Sequence, residues 1–197
     1  MNNWQRKWGQ IAAIALPWVF IPAAIAHTGH GETVGFDHGF LHPLGGPDHV
    51  LAMVAVGLWA GQLGDRALAL VPAGFLGAMA LAAVGGIALG PFAFMESGIL
   101  LSVLVGGLLV ALAVRLPAVT GMAIAGLLAI AHGWAHGAEM PASGNGLTYG
   151  LGFGLATALL LLSGMGLASV CQRWEQPRSL QGIGALVALS SLYLWFA

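Results

Sequence analysis

His42-Pro43-Leu44-Gly45-Gly46-Pro47-Asp48-His49 runs directly into Val50-Leu51-Ala52-Met53-Val54-Ala55-Val56-Gly57-Leu58-Trp59-Ala60. Two imidazoles and a carboxylate stand at the mouth of a hydrophobic span. Inserting a charged group there costs about 2.5–3.5 kcal/mol, so such groups usually have a partner or a task. The structural account is an interfacial loop followed by a helix, with Pro47 in its first turn and Asp48 favoured near its N-terminus. The functional account is a site for a metal cation. Gly45-Gly46-Pro47 disfavours a regular helix from His42 to His49. Irregular backbone at membrane depth is tolerated only where it is packed or lines a wet path, so we read the break as the device that aims Asp48 and His49.

Outward from this stretch the chain stays apolar. Of its 197 residues 58% are hydrophobic and 7% charged, with a mean hydropathy of +0.88, whereas soluble domains are about 25% charged. Apolar runs of about 20 residues rather than alternating polar and apolar positions indicate an all-α membrane bundle and exclude a β-barrel. No soluble domain is left over, and no nucleic-acid partner is expected. The single cysteine, Cys171, removes disulfide frameworks and thiolate cages within one chain, so a bound metal would be held by nitrogen and oxygen.

Residues 1–26 read as a cleaved signal peptide: Arg6 and Lys7, an apolar stretch over residues 11–21, and the small-x-small site Ala24-Ile25-Ala26. An uncleaved first helix is the alternative. After cleavage, residues 27–39 form an outer tail whose free amine, His27 and His30 could collect a cation, although a short polar terminus is more often simply solvated. Residues 40–197 then form a bundle of six expected transmembrane helices, at 40–63, 67–90, 97–114, 118–137, 147–170 and 180–197. Breakers separate them at Gly64-Asp65-Arg66, Gly90-Pro91, Arg115-Leu116-Pro117, residues 141–146 and residues 173–178.

Charge segregates along this frame. Beyond Arg6 and Lys7, the basic residues are Arg66, Arg115, Arg173 and Arg178, all in alternate loops. The positive-inside rule makes those loops cytoplasmic and puts both ends of the mature chain outside. The seven histidines, with Glu32, Asp37, Asp48, Glu96 and Glu139, gather at the opposite ends of the spans. An acidic, imidazole-rich mouth without competing cations concentrates divalent cations. Glycines four apart at Gly57/Gly61, Gly86/Gly90 and Gly146/Gly150/Gly154 read as close-packing faces.

The second cluster is His132-Gly133-Trp134-Ala135-His136-Gly137-Ala138-Glu139. At about 100° per residue, one helical stripe presents His132, His136 and Glu139 together if the helix continues. Glu96 opens the third span, where a helix-dipole role is the plain alternative to ligation. Imidazole suits Ni²⁺, Co²⁺, Zn²⁺ and Cu²⁺, while Mg²⁺ and Ca²⁺ prefer oxygen. The scattered methionines form no thioether ladder, which disfavours copper weakly.

His42-Pro-x-x-Gly-x-Asp48-His49-x-Leu-Ala-Met and His132-Gly-x-x-His136-Gly-x-Glu139, with the signal segment and six spans, resemble the HupE/UreJ family of bacterial nickel permeases over essentially the whole chain. The resemblance implies a secondary permease, not an enzyme. It would take up Ni²⁺ across a Gram-negative inner membrane for hydrogenase or urease, with Co²⁺ the alternative cargo for some relatives. It also implies a metal role for His42, Asp48, His49, His136 and Glu139, and less directly for Glu96 and His132; Phe75 draws attention as well, although an aromatic ring there is ordinarily packing. The ion is cargo, so no prosthetic group is expected, and self-association is left open. An intramembrane metalloenzyme competes through His-x-x-x-His and a later Glu, but lacks the adjacent Glu of His-Glu-x-x-His hydrolases. A b-type haem protein is the third option, and a Soret band would reveal it.

Overall fold

The structure, a computed structural model, describes residues 35–140 and 145–196. The expected signal segment, His27, His30 and the rest of the tail to residue 34 lie outside the described residues, as do residues 141–144. Seven helices make up the described part: α1 (Phe36–Gly45), α2 (Pro47–Leu63), α3 (Ala67–Leu89), α4 (Met95–Ala111), α5 (Ala118–Ala138), α6 (Gly146–Arg173) and α7 (Pro177–Phe196). Four apolar segments, α3, α5, α6 and Arg178–Phe196 of α7, are long enough to cross a membrane, and α4 is a shorter apolar helix of 17 residues.

The first expected span is divided. Gly46 is extended, at φ −102° and ψ 117°, and separates α1 from α2. Proline disfavours helical backbone in the residue before it and lacks an N–H. At the first position of α2 that missing donor costs nothing, so the chain restarts a helix at Pro47 where continuing α1 was disfavoured. This places Asp48 in the first turn of α2.

α2 is the central element. Ala52, Met53 and every residue from Ala55 to Gln62 are buried, the signature of a helix surrounded by other helices rather than facing outward on one side. α6 lies along α1 and α2, α4 along α7, and α3 along α5. Glycine sets the close approaches. A Cβ at Gly133 or Gly137 would strike the backbone carbonyl of Met79 or Ala83, and one at Gly86 that of Trp134, so α3 and α5 run parallel in near backbone contact. Gly57 and Gly164 do the same for α2 against α6, as do Gly39 and Gly152 for α1. α4 and α7 run antiparallel, with Gly107 against Gly184 and Ala188 and the Ser191 hydroxyl donating to the Leu100 carbonyl at 2.7 Å.

Of the expected glycine faces, Gly57/Gly61 and Gly86 lie at such contacts. Gly90 instead ends α3 at φ +73°, a left-handed position that glycine alone adopts without cost. A Cβ at Gly150 or Gly154 would meet nothing within 4 Å among the described residues; they lie on the face of α6 turned away from its partners, and Gly152 and Gly164 make its contacts. Large apolar side chains such as Leu81, Leu89, Leu127 and Leu147 point outward. On helices of this length, that surface belongs in lipid, and the protein is a membrane protein with transmembrane helices.

Candidate metal centre

The parallel course of α3 and α5, with α4 returning between them, brings the end of α5 to the same end of the bundle as the α1–α2 break. Two groups of ligand-type side chains meet there. His49, His132 and His136 each offer a ring nitrogen within 4.8 Å of the others, and so do His42, His136 and Glu139 with a carboxylate oxygen. The two motifs far apart in sequence thus form one cluster. Ring centroids step from His42 to His136 at 4.9 Å, from His136 to His49 at 4.5 Å, and from His49 to His132 at 5.1 Å.

Local structure explains each placement. α5 ends at Ala138, but the Glu139 N–H still bonds the Ala135 carbonyl at 2.9 Å. The helical stripe therefore extends one residue past the helix, and Glu139 Oε2 lies 3.1 Å from His42 Nε2. His42 and Glu139 are partly open, with side chains 25% and 45% exposed. His132 and His136 are buried, at 0% and 3%. The set containing Glu139 is therefore the more accessible, and the all-imidazole set lies deeper.

The hydrogen bonds fix which ring nitrogens are bare. Asp48 Oδ1 accepts from His49 Nδ1–H at 2.8 Å and from the His49 backbone N–H at 2.9 Å. A carboxylate only accepts, so the proton of His49 is on Nδ1 and Nε2 keeps its lone pair. The Ser102 hydroxyl donates to the Ile99 carbonyl at 2.7 Å and lies 2.6 Å from His132 Nε2. Its one hydrogen is already used, so it accepts from His132 Nε2–H and leaves Nδ1 bare. His49 Nε2, His132 Nδ1 and both nitrogens of His136 are buried without a partner among the described residues. Each such atom costs about 1–3 kcal/mol; a cation taking one lone pair from each ring would recover that cost at all but the protonated nitrogen of His136. This is how histidine ligands of metals are oriented: one ring nitrogen is held by a carboxylate or other oxygen while the other faces the ion.

Gly46 makes room for this pair. A Cβ there would lie 2.7 Å from Asp48 Oδ1 and 2.8 Å from His49 Nδ1. The glycine before Pro47 therefore lets Asp48 and His49 fold back on the helix start. Phe153 packs on His136 at 4.0 Å between ring centroids, and Phe75, fully buried, lies 6.1 Å from His132.

The structure brings together His42, His49, His132, His136 and Glu139, with Asp48 one step behind His49. Glu96 is exposed at the start of α4 and joins neither group; α4 reaches the cluster through Ser102 instead. Sequence reading missed Ser102 and Phe153. A hydroxyl in the middle of an apolar run, beyond the polar start at Glu96 and Ser97, was the available signal for Ser102. Phe153 had none, because an aromatic residue in an apolar helix is ordinarily packing.

Fold and site together define a multi-pass helical membrane protein with a buried imidazole cluster suited to a transition-metal cation. The family described as HupE / UreJ protein matches residues 14–194, and the chain belongs to that family. Protein HupE of Rhizobium leguminosarum bv. viciae is 42% identical over 161 residues, covering 81% of each chain. No solved structure matches. The family resemblance read from the two motifs is borne out.

Proposed function

We propose that this protein is a secondary permease that takes up a divalent transition-metal cation across the bacterial inner membrane. Ni²⁺ destined for hydrogenase or urease is the first candidate, and Co²⁺ the alternative. The observation that carries the reading is the convergence of three imidazoles, His132 and His136 buried and His49 partly buried, whose bare nitrogens have no partner among the described residues. Three neutral nitrogen ligands suit Ni²⁺ or Co²⁺ and disfavour Mg²⁺ and Ca²⁺. Family membership favours transport over catalysis, as does His132-Gly133 in place of a His-Glu pair on α5.

In this reading the arginine end faces the cytoplasm, the mature chain begins at His27 after the signal peptide is removed, and both of its termini are periplasmic. Glu139 and His42 receive a partly hydrated ion, and the buried imidazoles replace more of its water. Asp48 and Ser102 hold the His49 and His132 rings in their ligating tautomers. Uptake of radiolabelled Ni²⁺ and Co²⁺, each in competition with the other, by proteoliposomes with and without the protein tests the proposal. Protein-dependent accumulation of one ion, suppressed by the other but not by excess Mg²⁺, is expected; uptake equal to that of empty liposomes would refute it.

A further inference from the structure

The two ligand sets share one residue. His136 belongs both to the group with His42 and Glu139 and to the group with His49 and His132. Both of its ring nitrogens are buried without a partner among the described residues, so none of these fixes its tautomer, in contrast to His49 and His132. A neutral imidazole has one lone pair, and its other nitrogen carries a proton. His136 therefore serves one cation at a time.

We infer that the two sets are alternative stations for a single cation, which passes between them while His136 stays bound. The inference rests on the transport reading above. In the transfer, the bonds to His42 and Glu139 break as bonds to His49 and His132 form, and no electron or proton is exchanged. The ring spacings of 4.9 Å and 4.5 Å on either side of His136 make the two stations neighbours. Only the first station contains a carboxylate, and it is the more exposed one. An arriving hydrated ion meets negative charge there, and the second station then holds the ion by nitrogen alone. Two divalent ions around one ring would also repel each other strongly in such a setting. The shared ring thus makes the path single-file and keeps the ion ligated throughout the step.

Stoichiometry tests this. The full chain is purified without a polyhistidine tag, with His27→Ala and His30→Ala so that the tail contributes no ion, and is equilibrated with Ni²⁺ in lipid nanodiscs. One ion per chain is expected at saturation. His49→Ala and His42→Ala should each still bind one ion. With Co²⁺ as probe, the absorption of the first should report a carboxylate-containing shell and that of the second an all-imidazole shell. His136→Ala should weaken both modes by about tenfold or more, at least the loss seen when a supporting group of a metal ligand is removed. Two ions per chain, or His136→Ala binding with unchanged affinity, would overturn the sharing. Proteoliposome uptake separates the two claims: two bound ions with uptake intact refutes only the shared station, one bound ion without uptake refutes the permease, and no binding at all refutes both.

Discussion

The two ends of this bundle treat their polar groups in opposite ways. At the arginine end, donors are used to close helix C-termini. The Trp59 ring N–H donates to the Val114 carbonyl at 3.0 Å, Gln62 Nε2 to Val110 at 3.0 Å, Arg115 to the Gln62 carbonyl at 2.7 Å and Gln172 to Gly61 at 2.9 Å. Gly61, Gln62 and Val110 lie in the last turns of α2 and α4, where carbonyls have no partner within the helix, and a cation such as Arg115 also suits the negative end of the dipole. Gln62 Oε1 is the exception, buried and without a partner among the described residues. At the histidine end, hydrogen bonds instead hold the rings so that nitrogen lone pairs stay free. One end uses polarity to stabilise the fold and the other keeps it available for a ligand. Substitutions at the two ends should therefore separate stability from transport.

The largest separation is expected at His136, the ring common to both ligand groups. His136→Ala should lower Ni²⁺ uptake by about 100-fold or more, beyond the range for a supporting group. Removing two unpartnered buried nitrogens relieves a desolvation cost that offsets the small cavity left, so thermal unfolding in detergent should change little. A protein that transports normally with alanine at this position would return the cluster to a packing role.

Next come the groups that orient the rings. Asp48→Asn keeps the shape of the side chain but removes the charge, so Nδ1–H of His49 loses its charged acceptor. Ser102→Ala removes the partner that His132 Nε2 has among the described residues. Each should raise the Ni²⁺ concentration for half-maximal uptake by about tenfold to a hundredfold. Asp48→Asn should have the greater effect, because a charge-assisted hydrogen bond is roughly twice as strong as a neutral one. Equal uptake curves for Ser102→Ala and wild type would mean that the tautomer of His132 is set by something else.

Gly46 and Gly137 give a milder contrast. A methyl at Gly137 would meet the Ala83 backbone, which cannot move without separating α3 from α5; overpacking of this kind costs about 1–3 kcal/mol. The nearest atoms a methyl at Gly46 would meet belong to the side chains of Asp48 and His49 rather than to backbone, and φ −102° is open to alanine. Gly137→Ala should therefore reduce the amount of folded protein. Gly46→Ala should fold normally and transport a few-fold less well, a distinction visible when uptake is divided by folded protein recovered.

How much of this was legible follows from the kind of signal involved. Apolar runs with arginines in alternate loops locate the helices, because crossing a membrane constrains length and charge directly. The break at Gly46-Pro47 was legible because proline acts on its immediate neighbour. The His132, His136 and Glu139 stripe was legible because helical periodicity is local. The meeting of the two motifs was inferred from the side they share; their register, including the shared His136, depends on how α5 lies against α1 and α2, which no local pattern encodes. Asp48 illustrates the limit. Sequence places a carboxylate beside an imidazole, but only the fold shows that its Oδ1 is turned to His49 Nδ1. Glu96 and Ser102 show the same limit on α4: both are polar residues in one apolar helix, six positions apart, and the packing angle brings in the serine and leaves the acid exposed.

The smallest expected effect comes from the other end of the molecule. Gln172 lies in the last turn of α6 and its amide caps the Gly61 carbonyl of α2. Gln172→Ala removes one hydrogen bond of a partly exposed side chain, worth about 0.5–1.5 kcal/mol. The Gly61 carbonyl belongs to the final turn of α2, at the opposite end from His49, so the loss is local fraying of α2 and not a movement of the imidazoles. Thermal unfolding in detergent should shift down by a few degrees, while the Ni²⁺ concentration for half-maximal uptake stays at the wild-type value. A changed uptake constant would show that the ends of α2 are coupled, as they would be if this helix moved as a rigid rod during transport, and the division between a stabilising end and a ligand-binding end would then fail.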